Sequence, residues 1–452
     1  MKKITFLLLL SILSFPLLGS VTAYRGSILH FLEDPAQSRV LDESYQYIED
    51  GLLVVANGKV KYVGEYQDIA HHYPEHWIKD YRGHLIMPGF IDTHIHYPQT
   101  EMVAAYGQQL LDWLEQYTFP TERKFADKKY ARKISRTFLK QLISNGTTTA
   151  LVFGTVHPQS VDALFHYAQK LNMRLIAGKV MMDRNAPDYL LDTPESSYEE
   201  SKQLINKWHK KGRLLYAITP RFAPTSTPEQ LRLAGKLKQE FPDTWIHTHL
   251  SENLDEIEWV KSLFPDRSSY TDVYHHYGLT SSRSVFAHAV HLEDEEYPLL
   301  SSSQSAIAFC PTSNLFLGSG LFNLKKAKDN KIRVGMGTDI GAGTSFSMFQ
   351  TLNEAYKVTQ LQKYPLSAFE GFYQATLGSA RALSLENKIG NFTLNKEADF
   401  NVIKWAATDY QKFRMQFADE LHERLFALMM LGNENNIKAT FIAGKKAKLH
   451  RW

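Results

Sequence analysis

Four stretches of the chain put imidazoles and carboxylates where they can share a cation. Phe90-Ile91-Asp92-Thr93-His94-Ile95-His96 carries two histidines two residues apart. Side chains on a strand alternate between faces, so His94 and His96 project to the same side. Trp245-Ile246-His247-Thr248-His249 repeats the spacing, and Glu252 follows on what reads as a loop. His249 is nearer the strand end and is the better ligand, whereas His247 reads as structural, one layer deeper. His288 ends a third apolar run and His291 falls in the loop beyond it. Asp339 closes a fourth run, Gly335-Met336-Gly337-Thr338-Asp339. Taken singly, each signal has a plain alternative. A His-x-His pair can be two hydrogen-bonded core residues, Glu252 can stabilise a helix start, and Asp339 can be a cap. Together they supply the imidazole and carboxylate ligands that suit zinc, with a position left open for water.

Zinc lowers the pKa of bound water from ~15.7 to roughly 7. That removes on the order of 12 kcal/mol from the cost of making hydroxide. Glu252, just past a strand end, is placed to shuttle protons to a bound substrate.

Residues at strand ends imply a scaffold that gathers them. Eight candidate strands run along the chain: 85–96, 147–153, 174–182, 214–222, 244–250, 284–290, 306–311 and 333–340. Helix-like segments separate most of them. From Asp127 to Asn145, apolar positions Tyr130, Ile134, Phe138 and Leu142 recur every four residues, and Gly146 stops the helix. Eight strands with interleaved helices predict an α/β fold, a (β/α)8 TIM-like barrel whose active site lies at the C-terminal strand ends. An open doubly wound sheet is the alternative, but no G-x-G-x-x-G or P-loop accompanies it. Strand-like segments on either side of the Asn57-Gly58 turn, and again at 398–403 and 439–445, predict a small β-sandwich domain built from both chain ends. The expected division is 24–85 plus 386–452 for that domain and 86–385 for the barrel.

Composition narrows the function classes. The chain has 452 residues, 44% hydrophobic and 22% charged, which excludes wholesale disorder. Its net charge of +3 comes with no basic stripe, so a nucleic-acid partner is not expected. The single cysteine, Cys310, excludes a disulfide framework, a multi-thiolate zinc site and the His/Cys/Cys class of base deaminase. Met1-Lys2-Lys3, the apolar run 4–19 and the small residues up to Ala23 read either as a secretory signal peptide or as a misassigned start. The run is shorter than the ~20 residues that span a bilayer, so no stable membrane association is expected once the leader is removed.

Pro88-Gly89-Phe90-Ile91-Asp92-Thr93-His94-Ile95-His96 resembles the opening metal motif of the amidohydrolase superfamily, and the match continues in order through His249, His288 and Asp339. Within that superfamily the chain is similar to the guanine deaminases from about Tyr24 onward. The specific markers are His96-Tyr97-Pro98-Gln99, Trp113 through Glu122, Thr219 through Thr225, His247 through Asn253, Cys310 through Leu315 and Gly337 through Gly343. The resemblance implies one Zn2+ per chain held by His94, His96, His249 and Asp339. It leaves open whether His288 is a further ligand or only contacts the bound water. It implies catalytic roles for Glu252, His288 and Asp339, and substrate contacts from His96, Gln99, Arg221, Phe222, His249, Glu252 and Asp339. It also implies a cytoplasmic homodimer that turns guanine and water into xanthine and ammonia in purine catabolism; a genuine leader would imply a periplasmic or secreted enzyme instead.

The residue chemistry agrees with such a substrate. Arg221 has donors only, which suits a carbonyl oxygen. Gln99 both donates and accepts, which suits a lactam edge, and Phe222 can stack on the ring. Two rivals share the scaffold: a hydrolase of another amino-heterocycle or cyclic amide, and a non-catalytic protein of the same fold. The second is disfavoured because no ligand or shuttle residue is missing.

Overall fold

The run from Thr147 to Phe153 is buried along its whole length, as a strand covered on both faces must be. Seven more runs, buried along all or nearly all of their length, lie parallel beside it. In spatial order the barrel strands are Phe90–His96, Thr147–Phe153, Arg174–Gly178, Leu214–Pro220, Trp245–Leu250, Ser284–His288, Ala306–Phe309 and Arg333–Met336. A computed structural model describes residues 21–107 and 109–448. The leader expected over 1–23 falls almost wholly outside these residues. No helix among those described is long and apolar enough to cross a membrane.

The barrel is brought round at its C-terminal rim by two backbone hydrogen bonds. His96 N–H donates to Ile340 O at 2.8 Å, and Asp339 N–H donates to His94 O at 2.9 Å. The same two bonds bring the histidines of the first strand beside the aspartate that follows the last.

The helix after the first strand runs Lys128–Ser144. The Asp127 side chain caps it by accepting from Lys129 N–H at 2.8 Å. It buries Ile134, Phe138 and Leu142 against the barrel. Gly146 sits at φ +79° just beyond, a conformation that favours glycine.

The chain ends form one continuous sheet of seven strands, in the order Lys445–Lys446, Ile437–Ile442, Phe400–Lys404, Ile78–Pro88, Val21–Phe31, Tyr45–Ala56 and Lys59–Glu65. Asn57 and Gly58 take φ +53° and +75° in the hairpin turn between the last two, as a two-residue turn with both central residues left-handed requires. The Tyr24 ring meets Phe400 and Phe441 edge-on at 4.9 and 5.0 Å. Buried ion pairs join the two parts of the chain: Arg213 Nη1 donates to Asp399 at 3.0 Å and Arg174 Nε to Glu397 at 2.7 Å.

Several strand bounds differ from the sequence pattern. The apolar stretch 85–96 is two strands, one in each sheet. The break falls at Gly89, where an added Cβ would lie 2.1 Å from Thr148 Oγ1. The stretch 174–182 also divides, because Val180–Met181 pairs separately with the fourth barrel strand. The stretch 306–311 stops at Phe309, and Pro311 opens a helix.

Candidate active site

Alternation along Phe90–His96 aims Asp92, His94 and His96 the same way. Asp92 lies deepest. It accepts from His94 N–H at 3.2 Å and from Thr338 N–H and Oγ1 at 3.1 and 2.5 Å, and burial raises its pKa to about 7. At the rim, His96 Nε2 stands 3.2 Å from both His94 Nε2 and His249 Nε2. Asp339 Oδ1 lies 3.1 Å from His94 Nε2 and 3.4 Å from His96 Nε2. The four residues expected to hold a metal therefore converge from the first, fifth and eighth strands. His288 joins them, its ligand atom within 4.8 Å of those of His94 and His249.

The second nitrogens decide what these rings offer. His249 Nδ1–H donates to Arg221 O at 2.7 Å. His94 Nδ1–H donates to His247 Nε2 at 2.8 Å. His288 Nδ1–H donates to Asn314 Oδ1 at 2.8 Å. Each bond leaves an Nε2 lone pair turned to the centre, and burial holds His94, His96, His247 and His249 well below the usual imidazole pKa, hence neutral. Neutral lone pairs facing one another at 3.2 Å repel unless a cation lies between them. A tetrahedral ion with bonds of ~2.0–2.1 Å spaces its ligands about 3.3 Å apart, so the donor set fits such an ion.

His288, Ser251 and Asp339 adopt φ of +72°, +48° and +51°. Left-handed backbone at non-glycine residues is uncommon and concentrates where the surroundings enforce it. Here it turns the chain sharply at three strand ends, which lets the side chains face inward.

Glu252 is buried beside this centre. Its Oε1 accepts from Ser319 Oγ at 3.3 Å, and its Oε2 lies 3.4 Å from His288 Nε2. Burial, reinforced by the nearby Asp339 carboxylate, raises its pKa to about 8, which favours the protonated form. Burial likewise raises Asp339 to about 6. Glu256 holds the Glu252 backbone N–H at 3.0 Å.

A cleft opens over the centre. His96, His249, His288, Glu252 and Asp339 form its polar side, and Gln99, Arg221 and Phe222 face it from the rim. Leu110, Trp113, Leu114, Leu317 and Ala342 close it with apolar surface. Gln99 Oε1 accepts from Gly341 N–H at 3.0 Å. All the residues expected at the site on sequence grounds are thus gathered here. His291 stands apart in the loop, its Nε2–H donating to Ser319 O at 2.6 Å.

Sequence reasoning gave no role to Glu122, Asn314 or Ser319, each of which touches a site residue. Asn314 and Ser319 are small polar residues in a short helix and a loop, respectively, and carry no periodic signal. The spacing of Leu110, Trp113 and Leu114 does read as one apolar helix face.

Comparison with known proteins agrees with this geometry. The amidohydrolase family model matches residues 85–447. Guanine deaminase of Escherichia coli K12 is 61% identical over 427 residues, 94% of this chain and 97% of that protein. Human guanine deaminase is 33% identical over 84% of each chain. Among solved structures, the E. coli guanine deaminase superposes with a TM-score of 0.93 at 60% identity, covering 95% of this chain and all of that one. A guanine deaminase from C. acetobutylicum with guanine bound in its active site matches with a TM-score of 0.84 at 31% identity, over 95% of this chain and 100% of its own. With its eight parallel strands, its histidines and aspartate at the strand ends and a match along most of its length, this chain belongs to the amidohydrolase family.

Proposed function

We propose that the chain hydrolyses guanine to xanthine and ammonia, with His94, His96, His249 and Asp339 holding one Zn2+. The observation that carries this reading is the meeting of two sets of groups in one cleft: a buried His/Asp centre with the Glu252 carboxyl beside it, and the Gln99 and Arg221 side chains at the rim. When bound, the ion would supply a water acidic enough to attack at neutral pH.

The chain's own groups then divide the work. Arg221 donates to the guanine carbonyl oxygen, Gln99 meets the adjoining lactam edge, and Phe222 packs against the ring. Carbon 2 and its amine thereby face Asp339 and Glu252. His288 Nε2, 3.7 Å from Asp339 Oδ2, accepts a hydrogen bond from the attacking water and orients it. Asp339 takes the proton that water loses on attack. Glu252, already protonated, delivers its proton to the ring nitrogen beside carbon 2, so negative charge does not accumulate on the ring. Asp339 passes its proton to the departing amine, which leaves as ammonia. Glu252 is reprotonated by the hydroxyl that becomes the new carbonyl. Adenine would present an amine to the donors of Arg221, and unpaired buried donors of that kind can reject a substrate by on the order of 10⁴-fold.

The test is direct. The purified full chain is assayed for bound metal and for xanthine formed from guanine, with adenine and cytosine as controls. Zinc near one equivalent with guanine-dependent xanthine is the expected result. Bound metal without xanthine rejects the substrate assignment. The homodimer implied by family likeness belongs to the same reading and is checked by sedimentation of the full chain.

A further inference from the structure

Glu122 is a buried carboxylate that no step above uses. It ends the short helix Phe119–Glu122, is wholly inaccessible, and lies behind the cleft wall rather than in it. Both its oxygens meet a single nitrogen, Arg221 Nη1, at 3.0 and 2.9 Å. Its Oε1 also accepts from Gln99 Nε2 at 3.4 Å. The far end of the Gln99 amide is held by Gly341 N–H, so Glu122 and Gly341 together set which way that amide faces. Among the described residues, Arg221 Nε and Nη2 have no hydrogen-bond partner.

Two consequences follow. First, Glu122 draws Nη1 to the back of the wall and leaves the rest of the guanidinium edge for the ligand. Second, it cancels the charge. An arginine keeps its proton under all ordinary conditions, and a buried lone guanidinium would draw anions strongly. Paired with Glu122, it still donates hydrogen bonds but adds little net charge to the cleft. That matters because substrate and product differ as acids. Xanthine has a second carbonyl where guanine has an amine, so it loses a ring proton at lower pH than guanine does.

We propose that Glu122 is a specificity-determining positioning residue. It aims Arg221 and Gln99 at a neutral lactam edge and, by neutralising Arg221, keeps the cleft from retaining the xanthine anion. The proposal rests on the guanine reading above and deepens it.

The experiment uses the full chain, Glu122→Gln and Glu122→Asp. It measures metal content, kcat and KM for guanine, and xanthine binding by calorimetry at pH 6 and pH 9. For Glu122→Gln, metal content matches the parent, and KM rises about tenfold with kcat changed less, as expected when a bound donor is misdirected. Xanthine binding in that variant strengthens by about tenfold from pH 6 to pH 9 relative to the parent, because an uncompensated cation attracts the anion. Glu122→Asp keeps the charge on a shorter stem, so its KM rises while its xanthine binding keeps the parent's pH dependence. A merely structural role would lower metal content and kcat together and leave that pH dependence unmoved. Xanthine binding with the parent's pH dependence in Glu122→Gln, or an unchanged guanine KM in both variants, overturns the proposal. If Glu122→Gln does not fold, Glu122→Asp decides: a parental KM rejects the aiming role. A parent that binds xanthine but makes none from guanine rejects the substrate reading alone, and calorimetry still decides Glu122.

Discussion

His247 Nε2 lies 2.8 Å from His94 Nδ1, so a histidine one layer below the rim sets the tautomer of a ring at the centre. Both rings are buried, and His247 Nδ1 has no hydrogen-bond partner among the described residues. His247→Leu should therefore weaken metal binding by about 10–100-fold, as loss of a partner behind a ligand does. Titration of the apo protein with zinc against a competing chelator checks it. Unchanged affinity would mean that the pair only fills space.

Glu252 is tested by Glu252→Gln, which keeps the shape but cannot cycle a proton. Metal content should stay at the parent value while kcat falls by about 10²–10⁴. Turnover near the parent value would remove Glu252 from the proton path.

Arg221 has two duties that one substitution separates. Its backbone carbonyl accepts from His249 Nδ1, and its side chain faces the cleft. Arg221→Ala retains the carbonyl, so metal content should hold while kcat/KM for guanine falls by about two orders of magnitude or more, the cost of lost charge-assisted hydrogen bonds. Equal losses of both would point to a folding defect, caused in part by stranding Glu122 without its cation.

The small sheet carries an acid-sensitive group far from the centre. His30 is buried in the strand Val21–Phe31, with Nε2 2.9 Å from Gln46 Oε1 and Nδ1 unpartnered. Burial lowers its pKa from 6.5 to about 4, with nearby Lys396 contributing in the same direction. The folded state thus binds this proton less readily than the unfolded chain. Its stability contribution is complete above pH 6.5 and is lost progressively as pH falls toward 4. The difference amounts to about 3 kcal/mol at about 1.36 kcal/mol per pH unit. Chemical denaturation at pH 7.5 and pH 4.5 should show a smaller loss in His30→Gln than in the parent. Equal losses would exclude His30 as a source of acid sensitivity.

Local chemistry in the chain was enough to determine the kinds of ligand and the scaffold type. Period-two spacing put His94 with His96 on one face, buried apolar runs marked the strands, and Asn57-Gly58 marked the hairpin, because each depends only on residues close in sequence. The tertiary structure decided the rest. It showed that His247, already placed one layer below His249 by its distance from the strand end, backs His94, because that ring comes from a strand far away in the chain. It showed that the stretch 85–96 serves two sheets, because the close approach of Thr148 to Gly89 involves a distant segment. Glu122 with Arg221, Ser319 with Glu252 and Asn314 with His288 were illegible for the same reason. Such contacts form between residues far apart in the chain only once the barrel has brought its strand ends together, and no local pattern encodes them.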